Sequence, residues 1–293
     1  MASFTTRLGT LAVLAALATS CAKDTQNVPA TPTAAVVTQD ATRDGHLALG
    51  NPSGAVADPY YYWNYLLTKP QFVMSYHRDR GVPNWVSWHL SSAWLGSTPR
   101  QDNFSSDASL PTGWYRVTST SYTGSGFDRG HLCPSADRTG SVEDNSATFK
   151  MTNMMPQAPR NNQQTWAGLE NYCRTLVGQG YELYVIAGSY GKGGTGSNGY
   201  LTTLDAGRVT VPNRCWKVVV VLPEGSSDAG RVTTSTRVIA INTPNDNALD
   251  ANWGVYRTSV DAIEAATGYN VLSAVSTAVQ DVVEARVDAG PTS

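Results

Sequence analysis

The stretch that decides the reading is Phe127-Asp128-Arg129-Gly130-His131 and, one segment later, Asn161-Asn162-Gln163-Gln164-Thr165-Trp166-Ala167-Gly168-Leu169-Glu170. The first piece sets an acid, a fixed cation and a base close together along the chain. The second opens on amide side chains and then takes on helical spacing, with Trp166, Leu169, Cys173 and Leu176 on one apolar face. Asn162 falls where such a helix starts and suits its N-cap. Glu170 lies 170 − 162 = 8 positions further on. At about 100° per residue, both side chains then point to nearly the same side. A His beside an Arg, faced by an Asn and a Glu from one helix side, has the composition of a site for metal-assisted phosphodiester hydrolysis.

Working outward, Asp128-Arg129-Gly130-His131 is followed by Asn153-Met154-Met155-Pro156-Gln157 and then by Asn162, Trp166, Leu169 and Glu170. This ordered set resembles the DNA/RNA non-specific endonucleases with a ββα-metal site, and it is more specific than the four-residue motif alone. The resemblance runs from about residue 84 to about residue 269, through Trp216-Lys217-Val218-Val219-Val220-Val221-Leu222-Pro223 and Ile263-Glu264-Ala265-Ala266-Thr267-Gly268. It implies an α+β domain with a largely antiparallel central sheet flanked by helices and a ββα-metal catalytic finger. It also implies a Mg²⁺-dependent endonuclease, with Mn²⁺ able to substitute, that takes DNA and RNA alike and leaves 5′-phosphate and 3′-hydroxyl ends. Family members carry an Arg about 131 − 100 = 31 positions before the motif His, which brings in Arg100.

Each residue has a chemical role to fill and an ordinary alternative. His131 is the candidate general base, because an unperturbed imidazole titrates near ~6.5. Without its neighbours it would be read as a satisfied strand histidine. Asn162 offers a neutral oxygen to a hard cation that keeps most of its waters, and an N-cap role is compatible with this. Glu170 would hold a metal-bound water, where otherwise it would be an exposed helix glutamate. Asp128 would orient another such water, its carboxylate being too weak a base to replace His131. Arg129 and Arg100 would bind the phosphate bidentately and meet the charge that grows on it. Asn153 would position the neighbouring loop or the histidine. None of these contacts reads a base or a 2′-hydroxyl. The rival from another class is a cell-surface module that binds glycans or nucleic acid on an inert nuclease fold, which predicts a missing motif residue.

The chain has 293 residues, 41% of them hydrophobic, and a formal net charge of −2. That balance argues against tight nucleic-acid binding through bulk charge and leaves room for a local basic cleft. Arg7 precedes an apolar run over residues 8–17, too short to span a bilayer but suited to a signal peptide. Ala18-Thr19-Ser20 then leads into Cys21, an arrangement that resembles a bacterial lipoprotein signal. Residues 1–21 are therefore expected to direct export. Either a lipid on Cys21 anchors the protein to a membrane, or cleavage nearby leaves it secreted or periplasmic. The remaining cysteines are Cys133, Cys173 and Cys215, and a Cys173–Cys215 disulfide is expected in an oxidising compartment, with Cys133 free. No paired Cys-x-x-Cys supports zinc.

Residues 22–57 are rich in Ala, Thr, Pro, Val and Asp and read as a flexible linker, with His46 solvated. The domain is expected over residues 58–287, with a loose tail at 288–293. Tyr60-Tyr61-Tyr62-Trp63 is expected to pack into the core or over it as a lid. Residues 85–90 alternate as a strand that makes His89 structural. Residues 115–122 also alternate, and turn through Gly124-Ser125-Gly126 into the motif strand as the ββ pair. Residues 145–152 read as a short connection, and the Gly-rich 191–199 as a surface loop without P-loop character. Residues 183–187, 216–222 and 237–241 suit central strands, and residues 259–266 a short helix that begins at a Ser cap.

Overall fold

Continuous apolar runs become the strands that are covered on both faces. The computed structural model describes residues 44–293. The export segment, Cys21 and the first part of the expected linker lie outside the described residues. In chain order, β1 (Tyr65–Thr68), β2 (Val73–His77) and β3 (Val82–Leu90) form a meander. Then β4 (Asp128–His131) and β5 (Met154–Gln157) pair with each other outside it, with α1 (Val142–Ala147) between them. After α2 (Ala167–Gly178), β6 (Tyr181–Tyr190) returns to β3. Two small hairpins follow, β7 (Gly194–Gly196) with β8 (Gly199–Leu201) and β9 (Thr203–Leu204) with β10 (Val209–Thr210). The chain re-enters the sheet as β11 (Arg214–Pro223), passes α3 (Asp228–Arg231), and adds β12 (Arg237–Pro244) and β13 (Arg257–Thr258). Helices α4 (Val260–Thr267) and α5 (Thr277–Val283) end it. The main sheet runs β1-β2-β3-β6-β11-β12-β13, antiparallel at every step.

Alternation along β11 shows why residues 218–222 are apolar throughout. Val219 and Val221 face the layer that holds α2, where Leu169, Tyr172, Cys173 and Leu176 pack with Trp88 and Leu183. Val218, Val220 and Leu222 face the other layer, with Leu49, Ala55, Val260, Ile263, Leu272 and Val283. A strand buried on both faces cannot show the polar alternation of a half-exposed one. The expected strands at 183–187, 216–222 and 237–241 fall inside β6, β11 and β12. Ser259 caps α4, its hydroxyl accepting from the Ala262 amide.

The structure departs from the sequence reading in several places. Residues 115–122 form no strand. Thr118 and Ser121 cap one another around a 3₁₀ turn, Ser119–Tyr122, so the partner of β4 is β5 and not the preceding segment. The short connection before Asn153 instead contains α1, started by the Ser141 hydroxyl. The Gly-rich stretch folds into the β7–β8 hairpin, and Ser197 donates its amide to Gly126 O at 2.9 Å. Tyr60, Tyr61 and Trp63 are exposed and meet each other edge to face, so this cluster is surface and not core. At the C-terminus Asp288 pairs with Arg237 at 2.9 Å, and Pro291 O accepts from the same guanidinium at 2.7 Å, which ties down the expected loose tail. Cys133, Cys173 and Cys215 are all free thiols, so the structure has no Cys173–Cys215 disulfide. Both thiols lie in one apolar cluster, where burial pushes Cys173 up to about 12 and keeps it protonated.

The last part of the expected linker belongs to the fold. Leu49 and Ala55 enter the core, and Ser53 Oγ accepts from Trp85 Nε1 at 2.8 Å. His46 is buried, not solvated: it donates from Nε2 to Pro70 O at 2.8 Å and accepts from the His89 amide on Nδ1 at 3.1 Å. With both nitrogens so used the ring is neutral. Burial, reinforced by Arg138, lowers its pKa to about 4. Below pH 6.5 the unfolded chain therefore binds a proton that the folded chain refuses until about pH 4. Stability should fall as pH drops through that window. Urea unfolding of His46→Gln should show lower stability at neutral pH but a shallower loss towards pH 4; an unchanged slope would refute the role of His46.

Candidate active site

β4 carries the motif, and its pairing with β5 explains the glycine. Asp128 lies opposite Gln157 and Gly130 opposite Met155. A Cβ on Gly130 would come within 2.3 Å of Gln157 Oε1 and 2.6 Å of Gln157 Cβ. Gln157 is buried, so no larger residue fits without parting the two strands. Gly126, at φ +81°, makes the turn before them, where a Cβ would meet the Asn198 backbone at 2.5 Å. Beyond β4, Asn153 clamps the chain that leaves His131. It donates from Nδ2 to Cys133 O at 2.8 Å and to Thr148 O at 2.9 Å. Its Oδ1 accepts from the Cys133 amide at 3.0 Å.

The α part begins differently from the expectation. Arg160 already has helical backbone angles, and residues Asn161–Trp166 form a π-helical turn that runs into α2. Asn162 is therefore inside the helix, not its N-cap, and its amide donates to Ala158 O at 2.9 Å. A π turn takes one residue more per hydrogen-bonded loop than an α turn, so the uniform 100° count from Asn162 to Glu170 does not hold. Asn162 lines the cleft, whereas Glu170 is not among the lining residues and accepts from Lys217 Nζ at 3.0 Å. Lys217 is itself buried, 4.1 Å from the Trp166 ring centre. Burial raises the Glu170 pKa, and Lys217 works against that rise.

Arg100, Asp128, Arg129 and Asn162 share one open cleft of about 370 Å³, floored by Phe104, Tyr122 and Phe127. Asp128 Oδ2 accepts from Asn162 Nδ2 at 2.8 Å and from Gln163 Nε2 at 2.9 Å. That contact engages the nitrogen end of the Asn162 amide and leaves Oδ1, a hard oxygen donor, for another partner. Arg100 is held by Asp102 at 2.7 Å and donates to Ser135 Oγ at 2.9 Å. Arg129 lies 3.9 Å over the Phe104 ring, and Arg100 lies 4.8 Å over Phe149. His131 packs against both rings edge to face, at 5.6 Å from Phe104 and 4.9 Å from Phe149. Its Nε2 is buried without a hydrogen-bond partner among the described residues. Burial, then the charges of Arg100 and Arg129, push its pKa down to about 3, so the ring is neutral at neutral pH. Phe104, Phe149 and Gln163 were not picked out from sequence. Two phenylalanines with no motif spacing carry no signal there, although Gln163 stands beside Asn162.

Known proteins resemble this chain in sequence and in fold. Residues 50–278 match the family model for DNA/RNA non-specific endonucleases. A nuclease of Nostoc sp. is 53% identical over 243 residues, 83% of this chain and 86% of that one. Human mitochondrial endonuclease G is 32% identical over 210 residues, 69% of this chain and 68% of that one. A chain of the crystallised EndoG/EndoGI complex superposes with a TM-score of 0.63 at 23% identity, covering 81% of this chain and 94% of that one. The chain belongs to the DNA/RNA non-specific endonuclease family, and it is a nuclease of the ββα-metal fold.

Asn153→Ala should remove three buried hydrogen bonds, at a cost of about 1–3 kcal/mol for each group left unpaired. Urea unfolding measures it; wild-type stability in that variant would show that the clamp on the segment after His131 does not matter.

Proposed function

We propose that this nuclease is a metal-dependent endonuclease that hydrolyses the phosphodiester bonds of DNA and RNA without sugar preference. The supporting observation is the Asp128–Asn162 contact, which commits the Asn162 nitrogen and leaves its Oδ1 free in a cleft shared with Arg100 and Arg129. A hard oxygen donor of this kind, with a carboxylate nearby, fits Mg²⁺, or Mn²⁺ in its place. Asn162 would hold the ion directly, and Asp128 and Glu170 through water. When bound, the ion supplies positive charge to the transition state and to the departing 3′-oxygen.

The chain's own residues supply the rest. Arg100 and Arg129 grip the scissile phosphate, each guanidinium backed by a phenylalanine ring. Neutral His131 takes the proton of the attacking water, and the product carries a 5′-phosphate. In the free protein both arginines hold the His131 pKa down. A phosphate bound between them offsets that charge and makes the ring a stronger base when substrate is in place. Asn153 positions this segment and takes no part in proton transfer. We also propose, from the sequence alone, that the protein is exported and anchored by a lipid on Cys21. Cys21→Ser should then move it from the membrane to the soluble fraction, and wild-type protein found soluble would refute the anchor.

The full chain should nick and degrade both circular plasmid DNA and RNA with Mg²⁺, and EDTA should stop it. His131→Ala should lose about 10²–10⁴-fold in kcat with the fold intact. Glu170→Gln should shift the metal-activation curve to higher concentration. Cleavage that EDTA leaves untouched would exclude the metal, and a fully active His131→Ala would exclude the base. A folded protein that binds but never cuts nucleic acid would favour an inert binding module.

A further inference from the structure

A second cluster of acidic groups lies on the opposite layer of the molecule, away from the cleft. Asp261 and Glu264 stand about one turn apart on α4, and Glu284 caps the end of α5. One carboxylate oxygen from each lies within 4.8 Å of the other two. Glu284 is only 4% exposed, and its Oε1 is enclosed without any hydrogen-bond partner. Glu264 Oε1 accepts from the Val271 amide at 2.6 Å. The α4 and α5 backbones also meet here, the Asp261 amide donating to Glu284 O at 3.1 Å.

What is missing is a counter-charge. None of the ion pairs among the described residues involves any of the three carboxylates. Other buried carboxylates are answered: Glu182 by His89 and Arg231, Asp137 by Arg174, and Asp288 by Arg237. A buried, unpaired carboxylate costs several kcal/mol, and like charges beside it add to that cost. The other set of metal-ligating groups, Asp44, His89 and Glu182, lacks this deficit, since Arg231 and His89 already hold both Glu182 oxygens.

We propose that Asp261, Glu264 and Glu284 form a divalent-cation site of the Ca²⁺ type, separate from the catalytic cleft. An all-oxygen, carboxylate-rich set selects a hard cation over zinc or copper. Three protein carboxylates suit Ca²⁺, which takes several carboxylate oxygens in a flexible shell, whereas Mg²⁺ keeps most of its waters and uses only one or two carboxylates. The three oxygens lie close enough together to share one ion. Asp261 is exposed, which lets water complete the shell. The ion would fasten α4 to the end of α5 and to the segment at Val271, and so hold the C-terminal region on the sheet.

The test uses the full chain stripped of metal with EDTA, and reads Ca²⁺ binding by calorimetry and Tm by scanning. Asn162→Ala serves as a background in which the catalytic cleft contributes no direct ligand. In that background one Ca²⁺ should bind and raise Tm. Added Asp261→Asn or Glu284→Gln should weaken binding by roughly tenfold or more and remove the rise. Asp261 is exposed, so its substitution leaves the core untouched. Glu284→Gln should also be more stable than its parent in EDTA, because the buried charge is gone. Absence of a Ca²⁺-dependent rise, or a rise that survives both substitutions, overturns the site. An equal or larger response to Mg²⁺ at the same concentration overturns its assignment to Ca²⁺.

Discussion

The Asp128 carboxylate, accepting from Asn162 and Gln163 at 2.8 and 2.9 Å, is the contact on which the arrangement of the cleft depends. It joins the start of β4 to the π turn ahead of α2, two pieces otherwise connected through more than thirty residues of intervening chain. One carboxylate with two amide donors sets the distance between strand and helix and also decides which end of Asn162 faces outward. Most of the nearby anatomy protects that junction. Gly130 lets β5 approach β4, Asn153 pins the chain beyond His131, and Asn161 donates to Thr243 Oγ1 at 3.1 Å to moor the π turn to β12.

The electrostatics of the two layers differ in kind. On the cleft side, Arg100 and Arg129 rest on aromatic faces and depress a buried histidine, while Lys217 and Glu170 neutralise one another. The cleft thus sets its two arginines against Asp102 and Asp128. On the far side no cation answers the acids, and three carboxylates crowd together, one of them with a buried oxygen that has no partner. Between them, apolar side chains of the sheet pack on both of its faces.

How much of this could be read from the chain follows from what each segment had to satisfy. Strands buried on both faces leave long apolar runs, so β6, β11 and β12 were visible, as was the Ser259 cap of α4. Asp128, Arg129, His131 and Asn162 stood out by their types and order and Arg100 through the resemblance to the family, and the cleft brings Arg100, Asp128, Arg129 and Asn162 together. The β5 strand was not, since Met154-Met155-Pro156-Gln157 has neither alternation nor β-branched residues and gains its place only by pairing with β4. Residues 115–122 misled in the opposite sense, because Val and Tyr separated by Thr and Ser serve a capped 3₁₀ turn as well as a strand. The composition of residues 44–57 says nothing of Leu49 and Ala55 reaching the core, and a lone His46 does not announce a ring bonded at both nitrogens. The π turn is invisible to any count that assumes a constant angle per residue.

That π turn has a consequence for how the protein tolerates change in length. Asn161–Trp166 accommodates an additional residue between a cleft-lining amide and the buried face of α2. Loss of a single residue there, such as Gln164, would let the segment relax to an ordinary α-helix, whose larger angle per residue makes up for the missing one. Asn162 would then keep nearly its direction relative to Leu169, Cys173 and Leu176, which the core holds fixed. The same deletion within the α-helical part of α2 would turn everything upstream by about 100°, so the π turn is the one place in this helix where length can change without parting Asn162 from Asp128.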